Sequence, residues 1–236
     1  MKFVLLAVQA RSTSKRLPGK VSKTILGKPL LDYCLDGCKD AAMFLNRQSD
    51  RIRCSVALLV PNGDPLVSLY KNKINIIEGD EEDCLSRYVK AMNQEKVDYI
   101  VRITGDCIYM PSYVISRAVK TAIKQNADFV TNCMFRMNFE GSDTEVMSKG
   151  ILNFLNREAN TPRYREHTTL FLYEHPEKLK EFKVVNLFEK INLSHIKTSI
   201  DSQEELMQAE KDMEKILEMK EQSIKLFGFG STADGS

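Results

Sequence analysis

Only three histidines (His167, His175 and His195) and no CxxC pair among six cysteines occur in 236 residues. That scarcity excludes a zinc ribbon, and the scattered thiols exclude a disulfide framework; unpaired cysteines fit a reducing, cytoplasmic setting. No stretch approaches the ~20 apolar residues of a membrane span. The opening run Phe3–Val8 is shorter than the ~7–15 residues that a signal peptide's apolar core needs. Charge of one sign is also missing. The 34 basic and 32 acidic side chains leave a net +2, so neither nucleic acid nor a membrane is an expected partner, and any anion must be recognised locally. There is no Walker loop, because Lys20 is followed by Val21 rather than Ser or Thr. No solenoid-type repeat is present.

The informative stretch is Gln9–Lys20, QARSTSKRLPGK, directly after that apolar run. The run reads as a buried strand, and the polar, basic segment after it cannot continue the strand, so it forms a loop. It carries Arg11, Lys15, Arg16 and Lys20, the hydroxyls of Ser12, Thr13 and Ser14, and a Pro18-Gly19 turn. Amides, hydroxyls and cations at a strand end suit a nucleoside triphosphate, whose phosphate oxygens need donors and fixed positive charge. Composition alone leaves a solvated surface turn equally open.

Further along, a helix is predicted from Pro29 to about Ala42, with Cys34 and Cys38 as packing residues on its apolar face. Strands are predicted at Arg53–Val60 and Ile74–Ile77. A helix then begins in the acidic run Glu81–Asp83 and is apolar at Leu85, Tyr88, Val89 and Met92. The run from Asp98 reads as a strand that ends at Thr104-Gly105 and delivers Asp106 to its carboxyl end, the edge where open parallel sheets bind ligands. A helix from Pro111 to about Lys124 and a strand at Asp128–Asn132 follow. From Cys133 to Pro176 the rhythm becomes irregular, with a helix at about Lys149–Asn156. Two strand-like runs, Phe182–Asn186 and His195–Ile200, end at Asp201. Ser202 and Glu205 form a capping box for a helix that continues through Leu206, Ala209, Met213, Ile216 and Leu217. Residues 227–236 read as a flexible tail. Alternating strands and helices indicate an α/β fold with a mainly parallel sheet.

QAR, four residues, RLPGK, a spacer and Gly27-Lys28-Pro29-Leu30 together resemble the signature of sugar-activating nucleotidyltransferases, and most of all the spore-coat-polysaccharide cytidylyltransferase family, related to the CMP-Kdo and CMP-sialate synthetases. Five blocks in family order carry the resemblance nearly to the final helix. It implies a single three-layer α/β/α, Rossmann-like domain over residues 1–226 with a mixed, mainly parallel sheet and a small protruding segment, 133–176, for acceptor and dimer contacts. It implies transfer of CMP from CTP to an acidic sugar, a nonulosonate or Kdo-like acid, by an Mg²⁺-dependent homodimer. Within it, Gln9, Ala10, Arg11, Ser12, Ser14, Arg16, Lys20, Asp80, Thr104 and Gly105 would hold the nucleotide. Lys20, Arg11 and Asp106 would serve catalysis, Lys20 by neutralising charge on the bridging oxygen.

Asp106 and Asp201, both at strand ends, are the expected metal ligands, since Mg²⁺ favours one or two carboxylates with phosphate oxygens and waters. Taken alone, Asp201 reads as a helix cap. The resemblance of Ser199–Leu206 to the family's terminal motif makes it a ligand. Asp143, Glu145, Arg165, Glu166 and His167 fall in two blocks that the resemblance assigns to the sugar pocket, with Arg165 as a fork for the sugar carboxylate. Two departures, Glu78 where the family often has Arg and Ile108 where it usually has Pro, leave base identity open. Another nucleotide, a sugar-phosphate or phosphonate acceptor, and a catalytically silent binding subunit are the rivals.

Overall fold

The computed structural model describes residues 1–14 and 16–212, so Lys15, the helix positions Met213, Ile216 and Leu217 and the 227–236 tail lie outside it. The fold grows from β1 (Lys2–Gln9), whose residues Val4–Val8 are buried on both faces. Val4, Leu6 and Val8 enter one core and Leu5 and Ala7 the other. That two-sided burial belongs to a central parallel strand, and it contributes ~1.5–3 kcal/mol for each large side chain.

The basic loop ends in a 3-10 turn at Lys20–Ser22, followed by a small hairpin of β2 (Thr24–Ile25) and β3 (Lys28–Pro29). Next come α1 (Leu30–Gln48), β4 (Ile52–Pro61), α2 (Leu66–Tyr70), β5 (Asn75–Gly79), α3 (Cys84–Glu95) and β6 (Tyr99–Thr104). The chain continues through α4 (Ser112–Gln125), β7 (Phe129–Thr131), β8 (Glu145–Ser148), α5 (Lys149–Glu158), α6 (Pro162–Glu166), α7 (Leu170–Glu174) and β9 (Val184–Asn186). Residues 203–212 are helical.

The main sheet has the order β5-β4-β1-β6-β8-β7-β9, and only β8 runs against its neighbours. Helices α1, α2 and α4 pack on one face and α3, α5 and α7 on the other, giving three layers. The 133–176 segment contributes more to the body than expected. It places β8 inside the sheet, between β6 and β7, and lays α5 and α7 on one face.

Two local expectations change. Pro29 pairs with Thr24 and caps α1 from outside, with extended ψ, instead of occupying the first turn. His195–Ile200 forms no strand and makes only two isolated bridges, Glu140 with Lys197 and Cys107 with Ser199, because it crosses the end of β6 rather than running beside it. A third apolar cluster fixes this crossing. Leu17 and Ile25 from the basic loop and hairpin pack with Ile108, Ile200 and Leu206.

Candidate active site

Three chain segments meet at the carboxyl end of β6. The Gly105 amide donates to the Gln9 carbonyl at 2.9 Å. A Cβ on Gly105 would lie 2.9 Å from Leu31 Cδ1 and 3.1 Å from both Ala10 Cβ and the Gln9 oxygen, so the turn can hug β1 only with glycine. Asp106 follows. The Cys107–Ser199 bridge and a 3.4 Å hydrogen bond from the Ile200 amide to the Asp106 carbonyl then set Asp201 beside Asp106.

Lys20, buried below the left-handed Gly19, places its ammonium 2.6 Å from Asp106 Oδ2 and 3.0 Å from Asp201 Oδ1. Arg16 at 2.9 Å and Lys197 at 3.2 Å also reach Asp201. Burial alone would raise the Asp201 carboxyl, but Lys20, Lys197 and Arg16 outweigh it and hold the group below the usual carboxylate range. The capping box is present: Ser202 Oγ accepts from the Glu205 amide, and the Glu205 carboxylate accepts from the amides of Asp201 and Ser202. Among the described residues no three His, Cys, Asp or Glu side chains cluster as a metal cage. Two carboxylates this close fit a divalent cation that completes its shell with phosphate oxygens and water.

Beside this cluster lies a cavity of about 410 Å³. Gln9, Ala10, Arg11, Ser14, Arg16 and Lys20 line one side, and Thr104, Gly105 and Asp106 line another. Glu166 and His167 close it, with Arg11 reaching Glu166 at 3.2 Å. Two expected contacts go elsewhere. Ser12 gives its amide and hydroxyl to the buried Asp64, at 2.9 and 3.1 Å, and so anchors the loop instead of facing the cavity. Asp80 accepts from the amides of Glu82 and Asp83 and shapes the turn before α3. Sequence reasoning missed Glu81, Cys84 and Arg87 on the remaining wall. Arg87 had a signal: it stands on the α3 face that carries Cys84, Tyr88 and Ala91, an odd place for a charge.

A second cavity, about 470 Å³, is lined in part by Asp143 and Glu145. Glu145 is buried against Arg102 and accepts from the Tyr173 hydroxyl, while Asp143 takes a two-pronged hydrogen bond from Arg136. Arg165 does not face either cavity. Its guanidinium holds Asp83, at 2.7 and 2.9 Å, and Asn156, because the nearest carboxylate is the one that caps α3. Among the described residues His167 alone lines both cavities.

A family model described as cytidylyltransferase matches residues 5–227. The spore coat polysaccharide biosynthesis protein SpsF of Bacillus subtilis is 26% identical over 87% of this chain and 84% of its own. A cytidylyltransferase structure from Leptospira borgpetersenii superposes with a TM-score of 0.80 at 24% identity, covering 100% of this chain and 99% of that one. The structure of CMP:2-keto-3-deoxy-manno-octonic acid synthetase complexed with CTP gives 0.61 at 15% identity, over 91% and 99% of the two chains. With the mixed three-layer fold and the loop-to-strand site already in place, the family match over nearly the whole length settles the assignment: the chain belongs to the cytidylyltransferase family.

Proposed function

We propose that the chain transfers CMP from CTP to an acidic sugar, a nonulosonate or Kdo-like acid, releasing pyrophosphate, for a surface polysaccharide or glycoconjugate. The observation that carries this reading is the convergence of Asp106 and Asp201 on the Lys20 ammonium at the edge of a cavity lined by the basic loop. The Bacillus relative's name, which concerns a polysaccharide, and the CTP in the synthetase structure support it.

In this reading Arg11, Arg16 and Ser14 hold the triphosphate, and Lys20 neutralises charge on the bridging oxygen as it leaves. Asp106 and Asp201 would hold Mg²⁺, which offsets phosphate charge and makes the α-phosphorus more electrophilic. An acceptor hydroxyl oxygen forms the new bond to the α-phosphorus, the bond to the bridging oxygen breaks, and pyrophosphate departs with that electron pair. His167, at the junction of the cavities, takes the hydroxyl proton. Arg136 and Arg102 line the second cavity in place of Arg165, each already paired with a carboxylate, Asp143 and Glu145, so a sugar carboxylate bound there would share its guanidinium with that partner. The homodimer belongs to the same reading, supported by the exposed stack of Phe135 on Phe188, and sedimentation should give twice the chain mass.

The test is pyrophosphate release with Mg²⁺, each of the four nucleoside triphosphates, and a panel of nonulosonic acids, Kdo and sugar phosphates. CTP with an acidic sugar should react, and Asp106→Asn should abolish turnover without unfolding the chain. Reaction with a sugar phosphate alone would sink the acceptor reading, and undiminished release by Asp106→Asn would sink the metal assignment.

A further inference from the structure

Arg87 is 4% exposed and lines the nucleotide cavity, yet no carboxylate among the described residues pairs with it. Its Nη1 donates to the Leu59 carbonyl at 3.3 Å, and its buried Nε has no partner. A buried guanidinium left short of acceptors is costly unless a ligand supplies them. The fold makes room for this one. Gly79, at the end of β5, lies over the arginine stem, where a Cβ would come within 2.6 Å of Arg87 Cγ.

Next to it, Gln9 is oriented from behind. Its Oε1 accepts from the buried Tyr88 hydroxyl at 2.9 Å and from Cys84 Sγ at 3.2 Å, which leaves the amide nitrogen as the group free for a ligand. This wall therefore presents donors. Its place on the sheet is also defined. Leu59, Gln9 and Thr104 share one register row across β4, β1 and β6, so the Leu59 end lies two strands, roughly 10 Å, from the Asp106 end. With the α-phosphate at Asp106, that separation suits the base end of a nucleotide.

We infer that Arg87 and Gln9 form a donor wall that reads the adjacent O2 and N3 acceptors of cytosine, with Tyr88 as a positioning residue that fixes the Gln9 amide. Uracil places an N3–H donor between its two oxygens and would meet donor against donor. A guanidinium carries only donors and cannot adapt; a glutamine amide could flip, and the Tyr88 hydroxyl opposes that. The inference deepens the proposed function and rests on CTP being the nucleotide.

Calorimetric binding of CTP and of UTP, with kcat/KM for each, tests it on the full chain. The wild type should prefer CTP. Arg87→Lys keeps the charge but loses the planar fork, and should shrink the preference roughly ten- to hundredfold, chiefly through weaker CTP binding. Tyr88→Phe should narrow it by strengthening UTP. Gly79→Ala, which displaces the arginine stem without removing a contact group, should narrow it as well, and decides the matter if Arg87→Lys fails to fold. An unchanged ratio in folded variants overturns the inference, and an equal loss of CTP and UTP would assign Arg87 to phosphate instead. A wild type that binds CTP without preference overturns the inference and spares the proposed chemistry, whereas one that binds no nucleotide overturns both.

Discussion

His167 is exposed on the loop after α6, yet among the described residues it is the side chain common to the two cavity walls. A ring nitrogen there can receive the proton that an acceptor hydroxyl gives up. His167→Gln should lower kcat on the order of 10²- to 10⁴-fold while leaving CTP affinity within a few-fold. An unchanged kcat would reduce His167 to a bystander. At this scale the sequence is legible where the chain topology itself delivers a residue. Asp106 follows a β-branched strand, and Lys20 follows a Pro-Gly turn. Arg165 was misread because spacing cannot say which carboxylate an arginine finds; Asp83 belongs to a helix 82 positions away in the sequence.

The first helical turn after Asp201 shows what a helix cap does for a site. Glu205 accepts from the Asp201 amide at 2.6 Å and the Ser202 amide at 3.0 Å, and Lys197 ties the Glu205 carboxylate back to that of Asp201. Burial opposes ionisation of Glu205, but Lys197 and those amides prevail, so Glu205, like Asp201, sits below the usual range. A carboxyl with a lowered folded value stabilises fully above its unfolded value and loses that contribution as pH falls through the folded one. This turn should therefore be insensitive between pH 7 and 5 and weaken only below about pH 4. Glu205→Ala should cost about 1 kcal/mol in chemical denaturation and make the acid loss shallower. An acid limb identical to the wild type would contradict that role. The capping box was readable because it is a local pattern of four residues. The two bridges at Lys197 and Ser199 were not, since their partners lie on remote loops and a β-branched run of that length ordinarily pairs as a strand.

Across the molecule, the buried runs of β1, β4 and β6 announced the parallel half of the sheet, because two-sided burial writes itself as continuous apolar sequence. The insertion of β8 against its neighbours was not legible: Glu145–Ser148 is too short to show a period, and its place is decided by packing from both sides. The two acidic side chains that should take a divalent ion already share the Lys20 ammonium, so the resting protein is its own counterion. A free metal ion gains little by displacing a lysine that has nowhere better to go; a triphosphate gives that lysine a new anion. The order of addition follows, with metal and nucleotide entering as a pair. Mn²⁺ titrated alone and followed by its paramagnetic resonance signal should bind weakly, tightening at least tenfold when CTP is present, and Lys20→Met should bind Mn²⁺ without CTP. Equal Mn²⁺ affinity with and without nucleotide would show that the carboxylates are open to the ion from the start.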